Sequence, residues 1–140
     1  MEIVINRNSG ALYCDPETGP VQIPECAKKL AARISKEEKA LKRKQAGSHA
    51  EEVLVKRIAS DKDKLRRQAD TFCRTETNKV LKRTDNIVVN ISGVDLEAAL
   101  RAKREIDAER IYQDAFVKRL KRKCRECGFR FRITYREEDD

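Results

Sequence analysis

The stretch Asp85-Asn86-Ile87-Val88-Val89-Asn90-Ile91-Ser92-Gly93 decides the fold. Between its two asparagines the run is apolar and β-branched, it has strand length, and turn signals stand on either side, Thr84-Asp85 before it and Ser92-Gly93 after it. A continuous run without strict alternation predicts a strand over residues 84–91 that is buried on both faces and central in a sheet.

Toward the N-terminus the period changes twice. Ala27, Leu30, Ala31, Ile34 and Leu41 recur at helical spacing, Gly47-Ser48 breaks the pattern, and Leu54, Ile58, Leu65, Ala69, Phe72 and Val80 resume it. This predicts a long, basic, antiparallel helical hairpin over 25–83, with His49 in a solvated loop at its tip. Before it, Glu2–Asn6, Ala11–Cys14 and Val21–Ile23 read as short strands within residues 1–24, separated by Asn8-Ser9-Gly10 and by Asp15-Pro16-Glu17-Thr18-Gly19-Pro20. Pro24 fits the start of the first helix, where its missing N–H costs nothing.

Toward the C-terminus residues 94–127 read as one helix, with Lys121-Arg122-Lys123 near its negative end and Gly128 as its stop. Phe129, Phe131, Ile133 and Tyr135 alternate with Arg130, Arg132, Thr134 and Arg136, which predicts a half-exposed last strand over 129–136. The acidic tail 137–140 is expected to fray. Strands on both sides of helices make the class α/β, with a mixed sheet of about five strands in a single domain spanning 1–140.

The chain has 140 residues, of which 40% are charged and 5% aromatic, and its formal net charge is +8. Such a balance points to polyanions, because Lys and Arg that neutralise phosphates release counterions. No stretch approaches the length of a bilayer span, so no membrane partner is expected. Nothing at the N-terminus reads as a signal peptide, and an intracellular, cytoplasmic location is expected, or nuclear in a eukaryote. Five scattered cysteines, an odd number, predict reduced thiols.

Cys124-Arg125-Glu126-Cys127 has the spacing of half a zinc site. No second pair accompanies it, and Tyr112, Phe116, Leu120, Cys124 and Cys127 fall on one helical face, which explains both cysteines as small core residues. Zinc is therefore not expected, an intermolecular site being the alternative. Asp61-Lys62-Asp63-Lys64 reads as a solvated face with pairs at i,i+3 or i,i+4. The basic clusters are Lys42, Arg43 and Lys44; Arg66 and Arg67; Lys82 and Arg83; and Lys118, Arg119, Lys121, Arg122 and Lys123. They read either as helix solubility or as phosphate contacts along extended helices. The second reading is preferred, because acidic residues do not balance the clusters.

Three strands, helix, buried strand, helix and strand is the order of RNase H-like domains. Leu41 to Ser48, Lys56-Arg57-Ile58-Ala59, Arg66-Arg67-Gln68-Ala69-Asp70-Thr71-Phe72, Asp85-Asn86-Ile87-Val88-Val89 and Glu126-Cys127-Gly128-Phe129-Arg130-Phe131 together resemble the RuvC-like domain of TnpB. TnpB is the transposon-encoded RNA-guided nuclease related to type V CRISPR effectors. The resemblance covers roughly residues 3 to 135. It implies an RNase H-like mixed sheet with the long helical hairpin inserted between strand 3 and strand 4.

Departures bear on activity. RuvC-like nucleases hold two metal ions with carboxylates, which stabilise both the attacking and the leaving oxygen of the phosphodiester. Where the family has an Asp that ends its first strand this chain has Asn6, and where it has a Glu after the Ile-Val-Val strand this chain has Asn90. The family's third Asp and its N-terminal recognition domain have no counterpart. The resemblance thus implies a catalytically inactive protein that binds RNA, an RNA–DNA duplex or a ribonucleoprotein, as an accessory or regulator of a TnpB-like nuclease. No cofactor is expected, and Mg²⁺ would enter only with an active nuclease. The alternatives are a protein–protein module of a phage or mobile element, with a protein partner or a homodimer, and after it a divalent-metal nuclease.

Overall fold

The computed structural model describes residues 1–7, 9–93 and 106–135. Their order is β1 (Glu2–Asn6), β2 (Ala11–Asp15), β3 (Gly19–Gln22), α1 (Glu25–Leu41), α2 (His49–Leu81), β4 (Asn86–Ser92), α3 (Ala108–Cys127) and β5 (Arg130–Tyr135). The strands form one mixed sheet in the order β3-β2-β1-β4-β5. β1, β2 and β3 are antiparallel neighbours, whereas β4 is parallel to β1 and β5 is parallel to β4.

β4 is interior, as its apolar run predicts, but its faces differ. Ile87, Val89 and Ile91 are buried in the core, while on the other face Asn90 is buried, Val88 and Ser92 are half-buried and Asn86 is exposed. β1 alternates in the same way, with Ile3 and Ile5 inside and Glu2 and Val4 outside. The turn from β2 to β3 is held by Asp15, whose carboxylate accepts the backbone N–H groups of Glu17 and Thr18.

Ser48 caps α2 by accepting the N–H of Glu51 at 3.1 Å. His49 is thus the first residue of a helix and not part of a loop, since the cap sets the boundary one residue earlier. The Asp61 to Lys64 run also differs from a purely solvated face. Asp61 is buried and pairs with Arg33 at 3.3 Å, and Lys62 pairs with Glu38 at 2.8 Å, so this charge run joins α2 to α1. Asp63 and Lys64 follow the expected pattern, both exposed, with Asp63 pairing with Arg67 one turn on.

The helix expected over 94–127 is shorter. Residues 94–105 lie outside the described residues, as do Asn8 and 136–140. Ile106 and Asp107 are not helical, and Asp107 caps α3 by accepting the N–H groups of Glu109 and Arg110. Gly128, at φ +72°, ends α3 in the left-handed region.

The core lies between one sheet face and the helices. Tyr13 of β2 stacks on Phe116 of α3 with ring centroids 4.7 Å apart. Ile3, Ile5, Ile87, Val89 and Ile91 meet Ile34, Leu65, Val80 and Leu120 in the same cluster. Cys124 belongs to it, but Cys127 is exposed, at the last residue of α3, where helical phase no longer implies packing. Among the described residues no helix is long and apolar enough to cross a membrane.

Candidate nucleic-acid interface

α2 ends just before β4 and α3 just before β5, and the first residues of those strands, Asn86 and Arg130, are partners in the sheet. The C-terminal ends of the two helices therefore sit at the same end of the sheet. They approach closely where side chains are small. Ala69 is buried between them, and the Cys73 thiol donates to the carbonyl oxygen of Tyr112 at 3.3 Å. Burial pushes the Cys73 thiol up to about 12, so it stays protonated and inert. Burial, helped by Cys26 and Cys73, likewise pushes the Tyr112 phenol up to about 12.

Alongside this junction runs a cleft of about 420 Å³ with Ala69, Ile111 and Ala115 on its walls. Its charged lining is Arg66 and Asp70 from α2 with Asp114, Lys118, Arg119 and Arg122 from α3. Two basic clusters far apart in sequence thus meet in one place. Among the described residues Arg66, Lys118 and Arg119 form no ion pair, and Arg122 reaches only Glu126, at 3.9 Å. Asp114 is neutralised by Arg7 at 2.8 Å. The cleft carries an excess of positive charge whose hydrogen-bond donors are not taken up by carboxylates.

The other predicted cations fall elsewhere. Arg67, next to Arg66, points into a separate groove with Lys64 and Lys79, because consecutive helical residues lie about 100° apart. Lys42, Arg43 and Lys44 are exposed at the end of α1, away from the cleft lining, and Lys82 is exposed after α2. Lys121 is exposed on α3, and Lys123 pairs with Glu126 at 3.4 Å. Arg83 has a structural task. It donates to both oxygens of buried Asp15 and to Glu17 at 2.8 Å, tying the end of α2 to the β2–β3 turn. The Arg83 hydrogen bond holds the Asp15 carboxyl below the usual carboxylate range.

Asn6 and Asn90 lie on adjacent parallel strands and on the same sheet face, but not opposite each other. Asn6 is level with Ser92, and Asn90 with Val4. Two residues of stagger put their Cα atoms about 8 Å apart by ordinary strand spacing. The side chain of Asn90 is turned to Glu2 and donates to its carboxylate. At the end of β1, Gln113 of α3 is buried and donates to the carbonyl oxygens of Asn6 and Ala11, while Arg7 donates to its oxygen at 3.2 Å.

Nothing in the sequence signals these Gln113 hydrogen bonds, since there it reads as one more polar residue on a helix. Among the described residues no group of three or more His, Cys, Asp or Glu side chains converges in a way that could hold a metal ion. No family model matches the chain, and no curated protein matches it.

Proposed function

We propose that this chain is an RNase H-like, RuvC-related protein without a working metal site that binds RNA, an RNA–DNA duplex or a ribonucleoprotein. The observation that carries the reading is the convergence of Arg66 with Lys118, Arg119 and Arg122 in one cleft, without carboxylates to neutralise most of them. Guanidinium groups left open in this way match phosphate oxygens in charge and in fork geometry. The strand order β3-β2-β1-β4-β5, with β4 and β5 parallel to β1, supports the RNase H-like arrangement, and the two helices α1 and α2 between β3 and β4 support reading them as its inserted hairpin.

The residues at the expected metal positions do not fit the pair of divalent cations used by RuvC-like nucleases. Asn6 and Asn90 are neutral, and the Asn90 amide is engaged by the carboxylate of Glu2. Two hard cations need several anionic oxygens, so the reading assigns binding without cleavage, in an accessory or regulatory role beside a TnpB-like nuclease.

Titration of single-stranded RNA, an RNA–DNA hybrid and DNA across a salt series tests it. Phosphate binding falls steeply with salt, and none of the substrates should be cut in Mg²⁺ or Mn²⁺.

A further inference from the structure

Arg66 and Asp70 stand one turn apart on α2 and both line the cleft, yet they do not pair. The same spacing closes for Arg33 with Glu37 at 3.1 Å, Asp63 with Arg67, and Arg110 with Asp114 at 3.9 Å, and stays open for Arg57 with Asp61 and for Asp70 with Arg74. Among the described residues Asp70 accepts no hydrogen bond and forms no ion pair, and its helix neighbour leaves it an open acceptor inside a basic cleft. Asp114, the other acid there, is already matched by Arg7.

From this we infer that the α2–α3 cleft selects RNA over DNA, with Asp70 as the residue that tells them apart; the inference rests on the nucleic-acid reading above. A carboxylate among phosphate-binding cations repels a sugar–phosphate backbone unless the backbone offers it a donor. The ribose 2′-hydroxyl is such a donor, and deoxyribose has none there. The cations Arg66, Lys118, Arg119 and Arg122 supply attraction common to both nucleic acids. Asp70 adds an O–H···O⁻ hydrogen bond for RNA and an uncompensated like charge for DNA. The cleft, at about 420 Å³, has the volume to take one nucleotide of a bound strand. It therefore reads a single ribose and its flanking phosphates in a strand.

The experiment measures binding of a single-stranded RNA oligonucleotide and its DNA counterpart by fluorescence anisotropy at one fixed salt concentration. Wild type should prefer RNA about tenfold, the scale of one charge-assisted hydrogen bond. Asp70→Ala should weaken RNA binding by about that factor while leaving DNA binding unchanged or tighter, so the two affinities meet. Asp63→Ala makes the same change of charge outside the cleft and should leave the RNA preference intact. Asp70 is exposed on a helix, where Ala is the better helix former, so the variant should fold. Equal, tight binding of RNA and DNA by wild type would overturn the selectivity alone. So would an Asp70→Ala effect of the same sign on both. Absence of binding to either would overturn the nucleic-acid reading as well.

Discussion

The side-chain amide of Gln113 donates to the carbonyl oxygen of Ala11 at 2.8 Å, which fastens α3 to the start of β2 across most of the chain's length. The same nitrogen reaches the Asn6 carbonyl at 3.2 Å, and Gln113 is only 1% exposed. A residue so placed closes the corner where β1 turns into β2. Gln113→Leu keeps the volume but removes the donors, leaving a buried carbonyl unmatched. It should lower stability by about 1–3 kcal/mol in urea unfolding. A change below about 0.5 kcal/mol, the ordinary range for a surface substitution, would show that these carbonyls are satisfied without it.

Asp15 supplies a pH signature. Its folded pKa is depressed, chiefly by the Arg83 hydrogen bond, against desolvation that acts the other way. A depressed carboxyl contributes stability that is fully present above its unfolded value, near 3.9, and lost as pH falls through the folded one. Arg83→Gln should therefore lower the urea midpoint at neutral pH, and its deficit should shrink as the pH drops below about 4. A deficit that stays constant across that window would assign the effect to packing instead of charge.

Thiol chemistry separates the two cysteines of the CxxC. Cys14, Cys26 and Cys127 are exposed, whereas Cys73 and Cys124 are buried and burial raises the pKa of both thiols. A colorimetric thiol reagent should titrate the three exposed groups in the native protein and all five in denaturant. Rapid native labelling of Cys124, located by peptide mapping, would contradict the packing of α3 on the sheet.

The cleft and the α1 cluster are separable by charge reversal. Arg66→Glu combined with Arg119→Glu should weaken binding of single-stranded RNA and reduce the salt slope by about 0.7 for each phosphate that is no longer neutralised. Reversing Lys42, Arg43 and Lys44 together removes one more positive charge but lies outside the cleft, so it should change the slope less. The opposite ranking would move the interface to the end of α1.

Much of this architecture is legible in the sequence because it is written in local periods. The run Ile87 to Ile91 announces an interior strand, and the Leu54 to Val80 spacing announces a long helix. The cap at Asp107 is readable too, since an Asp before Ala108-Glu109 is a helix-start signal, yet the helical pattern upstream obscures it. What periodicity cannot carry is which distant charges meet. Arg66 and Arg119 come together only through the packing of α2 on α3. Arg83 looks identical to its neighbour Lys82 until the β2–β3 turn is brought against it. Cys127 illustrates the limit at an element's end, where helical phase still predicts burial but the residue is exposed.

The parallel pairing of β1 with β4 also imposes an order on assembly. The first three strands leave the ribosome together and can pair locally, but one edge of β1 has its partner in β4, on the far side of two long helices. Until β4 is made, the nascent chain holds an open edge flanked by Ile3 and Ile5, a template for pairing with another chain. Pairings so distant in sequence close slowly, because the intervening loop must be ordered before they form. The helix pair can form in the interval, by local interactions alone, and cover the apolar face of the waiting meander. On this account the ion pairs of Arg33 with Asp61 and Lys62 with Glu38 join the two helices that wait for β4.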